Sequence, residues 1–159
     1  MSPDFSGLIG QTLKSVKFKV KGKKLSAFAE SIGVKQPEFL GDDPIAHPAY
    51  ANAYVLPALM GVTGAKNPDG SKIITNMLKI LHGGQGYKFP KGSPPIKDGD
   101  KLETTPKIKD MEVKANGMLL ITCEAETKVS ESKDASKVGK TVCISEIGVV
   151  VMPGGFEVQ

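Results

Sequence analysis

Leu81-His82-Gly83-Gly84-Gln85-Gly86-Tyr87-Lys88-Phe89, followed by Pro94-Pro95-Ile96-Lys97-Asp98-Gly99-Asp100-Lys101-Leu102, decides how this chain folds. It reads as a glycine-opened strand, a proline-rich turn, and a second strand reached through Asp-Gly-Asp. Gly and Asp tolerate the backbone angles of a tight reversal, and Pro fixes the approach to it. Downstream the strand pattern continues. Residues 101–113 form a strand whose Pro106 implies an edge position or a bulge. Asn116-Gly117 then precedes Leu119, Ile121, Cys123 and Ala125, which alternate with Leu120, Thr122, Glu124 and Glu126, a hairpin signature. Residues 130–137 read as a polar, charged loop. The last strand is residues 141–152, with the apolar run 147–152 expected to be buried on both faces.

Upstream the period changes. Val16-Lys17-Phe18-Lys19-Val20 alternates strictly and predicts a strand with one wet face. Leu25, Phe28, Ala29 and Ile32 fall at i, i+3, i+4 and i+7, one face of a short helix that Gly33 is placed to stop. Residues 34–53 are loop-like, with Pro37, Pro44, Pro48 and the acidic turn Gly41-Asp42-Asp43. Residues 54–60 are an apolar cluster long enough for about two helical turns. Its Pro57 is expected near a helix start or at a kink. Asn67-Pro68-Asp69-Gly70 marks a turn. A short helical or irregular apolar segment (Ile73, Ile74, Met77, Leu78, Leu81) follows it. Helices early and consecutive strands late predict an α+β fold, an antiparallel sheet wrapped around a central apolar helix.

The 159 residues suit a single domain, with 1–12 as a peripheral tail. Hydrophobic residues at 40% and charged residues at 24% exclude a disordered chain. The net charge of +4, from 21 basic and 17 acidic residues, is mild and its lysines are scattered. With no Trp and few other aromatics for stacking, nucleic acid is not an expected partner. Cys123 and Cys143 sit in strand-like runs and read as small buried residues of a reducing compartment. Metal and cofactor sites are not expected, since only His47 and His82 join them as soft donors. No apolar run approaches the ~20 residues of a membrane span, and the N-terminus lacks a secretory pattern. The expected location is cytoplasmic.

Several segments, in order, resemble the MaoC-like N-terminal dehydratase domain, a hot-dog fold. Lys24-Leu25-Ser26-Ala27-Phe28-Ala29-Glu30-Ser31-Ile32-Gly33 is similar to the family's alanine-rich helix ending in glycine. Gln36-Pro37-Glu38-Phe39 sits where an Asn-Pro element follows. Leu81-His82-Gly83-Gly84-Gln85 resembles the opening of the long strand, and Ile96-Lys97-Asp98-Gly99-Asp100-Lys101-Leu102 the approach to the next one. The resemblance implies binding of an acyl-CoA or acyl-carrier-protein thioester. It also implies hydration of a 2-enoyl group, or dehydration of a 3-hydroxyacyl group, with R stereochemistry. In catalytic members an Asp and a His on a Gly-Asp-x-Asn-Pro-Ile/Leu-His element hold and deprotonate the attacking water.

Laid along that element, this chain has Val34 at the Asp position, Gln36 at the Asn position and Phe39 at the His position. Val and Phe carry no titratable group. The resemblance therefore implies a substrate-holding, non-catalytic subunit, paired as a homodimer or as a heterodimer with a catalytic hot-dog subunit. Tyr54, Leu56, Leu59 and Met60 are the candidate lining for the acyl chain. His82, Gly83 and Gly84 are candidates to approach the thioester, because glycine admits a ligand closely. The alternatives are a self-sufficient homodimeric enoyl-CoA hydratase or thioesterase using His47 or His82 as base, His47 oriented by Asp42 or Asp43, and a non-enzymatic fatty acyl-CoA binding module.

Overall fold

Alternating side chains set the layers. In the computed structural model, which describes residues 3–159, burial alternates along β3 (Lys101–Val113), β4 (Leu119–Glu131) and β5 (Thr141–Val151). Each long strand therefore turns one apolar face inward. With β1 (Val16–Lys19) and β2 (Ile80–Lys88) they form an antiparallel sheet in the order β1-β3-β4-β5-β2. The sheet curls around α2 (Ala51–Leu59), while α1 (Gly22–Ser31) follows β1. At the end of α1 the Gly33 N–H donates to the Glu30 carbonyl and the Val34 N–H to that of Ala29. Gly33 has φ +77°, the left-handed angle that stops a helix and favours glycine.

Ala51, Tyr54, Val55 and Ala58 of α2 are buried, the i, i+3, i+4, i+7 face of a helix seated on a sheet. The Thr104 hydroxyl on β3 donates to the Tyr54 carbonyl (3.3 Å) and lies 2.8 Å from the Thr127 hydroxyl on β4. Phe18 on β1 meets Tyr50 and Tyr54 edge-on, with ring centroids 6.2 and 6.4 Å apart. One cluster of buried apolar residues thus spans both helices and the sheet.

Four expectations are corrected in detail. Pro57 lies in the last turn of α2, not at its start. It is exposed there, shortly before the chain tightens into a 3₁₀ turn over Met60–Gly64. Residues 3–12 are not peripheral throughout: Phe5 and Leu8 are buried in the core, and the Gly10 N–H donates to the Ile108 carbonyl of β3. Along β5, Gly148 and Val150 are only half-buried, because the glycines of β2 leave the outer face open beside them. The 130–137 segment is not uniformly solvated, since Lys137 is 8% exposed and pairs with Asp100, itself 3% exposed.

Pro106 was expected at an edge or a bulge. Its carbonyl accepts from the Leu13 N–H just ahead of β1, so its missing N–H also faces that side and not β4. A bulge follows between Ile108 and Asp110.

Asp98-Gly99-Asp100 ties three regions together. Asp98 Oδ1 accepts from the Gly22 N–H at the start of α1 (2.8 Å). Asp100 accepts from the Lys97 N–H (2.9 Å), the Ser132 hydroxyl (2.6 Å) and the Lys137 ammonium. The turn is therefore the joint between α1, β3 and the β4–β5 connection.

Candidate functional site

The element that resembles the catalytic one is a 3₁₀ turn, Pro37–Phe39, between α1 and α2. Val34 is half-buried and Gln36 exposed. The Phe39 ring packs edge-on against His47, centroids 4.8 Å apart. One of the two histidines thus stands beside the position the resemblance assigns to the family's base.

His47 is committed elsewhere. It caps the short turn Pro48–Tyr50 that leads into α2, its Nδ1 accepting from the Ala49 N–H at 3.1 Å. With Nδ1 engaged in that cap, Nε2 is the ring nitrogen left to meet another group. No carboxylate orients it among the described residues. Asp43 instead pairs with Lys97 at 2.7 Å. His82, by contrast, is exposed on β2 opposite Val149 and makes no side-chain hydrogen bond among the described residues.

The residues expected to converge on one ligand divide between two faces of the sheet. Tyr54 is in the core against the sheet. Leu56, four residues from Asn52 on the opposite stripe of α2, is half-buried, and Met60, which opens the 3₁₀ turn after α2, is exposed, while Leu59 packs against the core. Gly83 and Gly84 are on the other side. The register of β2 shifts between His82 and Gly84, and Gly84 pairs with Gly148. Together with Gly86, Leu120 and Val150 they border a trough of about 340 Å³ on the outer face, away from α2. A Cβ on Gly83 would come within 2.9 Å of Val150 Cγ2, so that position requires close backbone packing.

A polar cluster that the sequence did not single out lies on the inner face, between β2 and the first turn of α2. Gln85 and Tyr87 sit opposite Ile147 and Ser145 of β5 and so share their inward face. Tyr87 donates its hydroxyl to Asn52 Oδ1 at 2.5 Å and stacks on Phe89 at 6.3 Å. Gln85 Nε2 donates to Ser145 Oγ at 3.3 Å, and that hydroxyl donates to the Gly86 carbonyl at 2.9 Å. Burial pushes the Tyr87 phenol up to about 12. The Tyr54 phenol, beside the Cys143 thiol, is raised further, again chiefly by burial. Burial also raises the Cys123 and Cys143 thiols to about 11, so neither is a poised nucleophile. The two-residue spacing of Gln85 and Tyr87 on an inward face was the available signal.

A curled antiparallel sheet wrapped around one helix defines a hot-dog fold. The family model for the FAS1-like dehydratase domain region matches residues 7–136, and the chain belongs to that family. Its fold is shared by a MaoC-like dehydratase from Rhodospirillum rubrum, 17% identical over 91% of this chain and 92% of that one, with a TM-score of 0.63. The truncated HadBC (3R-hydroxyacyl-ACP dehydratase) complex from Mycobacterium tuberculosis is 16% identical over 90% and 96%, with a TM-score of 0.60. The ChsH1–ChsH2 complex from the same organism is 11% identical over 90% and 97%, with a TM-score of 0.56. Sequence comparison with curated proteins finds no match. No helix among the described residues is long and apolar enough to cross a membrane.

Proposed function

We propose that this chain is the substrate-holding, non-catalytic subunit of a 3-hydroxyacyl or 2-enoyl thioester dehydratase. The carrying observation is the state of the would-be catalytic element. Val34 and Phe39 stand where an acid and a base belong, and the adjacent His47 has its acceptor nitrogen tied to the Ala49 N–H. The acyl chain would lie along Leu56 of α2 and Met60 of the turn that follows it, headed by the Asn52–Tyr87 pair.

A partner hot-dog chain carrying the missing Asp and His would complete the site, as the heteromeric complexes of similar fold suggest. The β2 edge is the docking line that favours this. β2 pairs with β5 on one side only, and Met77, Leu78 (95% exposed), Leu81 and Phe89 flank or occupy it as exposed apolar residues. Unpaired strand edges invite strand addition. A self-sufficient enzyme is the second reading, favoured only by the unbonded ring of His82.

Purification of the chain from its source tests the assignment, with mass determination of whatever accompanies it and calorimetry against a saturated acyl-CoA. The expected result is acyl-CoA binding and a companion hot-dog chain. An isolated chain with no affinity for acyl thioesters contradicts it.

A further inference from the structure

Gln85 Oε1 is buried and has no hydrogen-bond partner, the one such side-chain atom among the described residues. Buried polar atoms in folded proteins are nearly always paired, so an unpaired one asks for an explanation. Turning the amide over does not remove the problem. Ser145 Oγ already donates to the Gly86 carbonyl at 2.9 Å and so faces Gln85 as an acceptor. The amide presents Nε2 to it at 3.3 Å, which leaves Oε1 without a donor. A reversed amide would strand the nitrogen instead. The neighbouring donor, the Tyr87 hydroxyl, is spent on Asn52 Oδ1.

We propose that Gln85 is a specificity residue whose carbonyl oxygen accepts a hydrogen bond from the 3-hydroxyl of a bound 3-hydroxyacyl thioester. This deepens, and rests on, the acyl-thioester reading above. Gln85 is on the inward face of β2, one inward position from Tyr87, which reaches the first turn of α2. An acyl chain along α2 brings only one donor of its own near the thioester, the 3-hydroxyl. The 2-enoyl and saturated forms have none. An acceptor without a donor at that place therefore favours the hydroxylated form and disfavours the others, since these leave the buried oxygen unpaired.

The test compares a 3-hydroxyacyl-CoA with the saturated acyl-CoA of equal length, by calorimetry on the full chain with any copurifying partner. Both ligands carry the same carrier amides, so only the hydroxyl differs. The native protein is expected to prefer the hydroxylated ligand by about tenfold, the upper range for one net hydrogen bond. Gln85→Leu and Gln85→Met, which keep the shape and remove the acceptor, are expected to abolish that preference. They should leave saturated acyl-CoA binding within about twofold and the melting temperature equal or higher. A preference that survives both substitutions, or an equal loss of both ligands with a lowered melting temperature, overturns the proposal. If both ligands bind the native protein equally, this inference falls alone. If neither binds, the acyl-thioester reading falls with it.

Discussion

Asp100, in the turn that enters β3, and Gln85, on β2, both turn polar side chains away from water, and their surroundings differ in one respect. Each Asp100 oxygen has partners: Ser132 on Oδ1, and the Lys97 N–H and Lys137 on Oδ2. Gln85 has one amide end partnered and the other left alone. A fully satisfied cluster holds the fold together, whereas a half-satisfied one spends stability for another purpose. Mutation should therefore act with opposite sign at the two places.

The largest effect is expected at Asp100. Asp100→Ala leaves the Lys137 ammonium buried without its counter-charge and should lower stability by about 3–5 kcal/mol, read by urea unfolding. Adding Lys137→Met should restore most of that loss. A single-mutant loss below about 1 kcal/mol would show that the cluster is not a structural joint.

Alkaline pH should act next, through the inner face. All three tyrosines are raised, chiefly by burial: Tyr50, Tyr54 and Tyr87, the last to about 12. Between the unfolded value near ~10 and the folded one, the unfolded chain binds fewer protons, so stability falls as pH rises through that window and is intact below it. Absorbance titration should show phenolate appearing together with unfolding. A smooth titration near pH ~10 in a protein that stays folded would contradict this.

Smaller effects sharpen the contrast. Tyr87→Phe removes the donor to Asn52 and should cost about 0.5–1.5 kcal/mol. Gln85→Leu should instead be neutral or raise stability by up to about 1 kcal/mol, because it removes an unpaired buried acceptor. Thermal unfolding of the two variants side by side reads the sign directly.

Most of the architecture was legible because it rests on periodicity and turn chemistry. The alternation at residues 119–125, the Gly33 stop and the Asn116-Gly117 hairpin each act within a few residues. Other features depend on partners far along the chain. Lys137 looks like one more loop charge until the fold brings Asp100 to it, across 37 residues. Tyr87 and Asn52 meet across 35. The placement of Gly83 and Gly84 on the outer face followed from a register shift at the β2 bulge, which no local pattern encodes. The capping role of His47 was likewise invisible, since it depends on which ring nitrogen meets the Ala49 N–H.

The most direct measurement is hydration of a 2-enoyl-CoA by the purified chain alone, followed by the loss of the enoyl-thioester absorbance. The expected result is binding with no turnover above the buffer rate, and turnover only when a chain bearing the Asp and His is added. Efficient hydration by this chain unaided, abolished by His82→Ala, would contradict it.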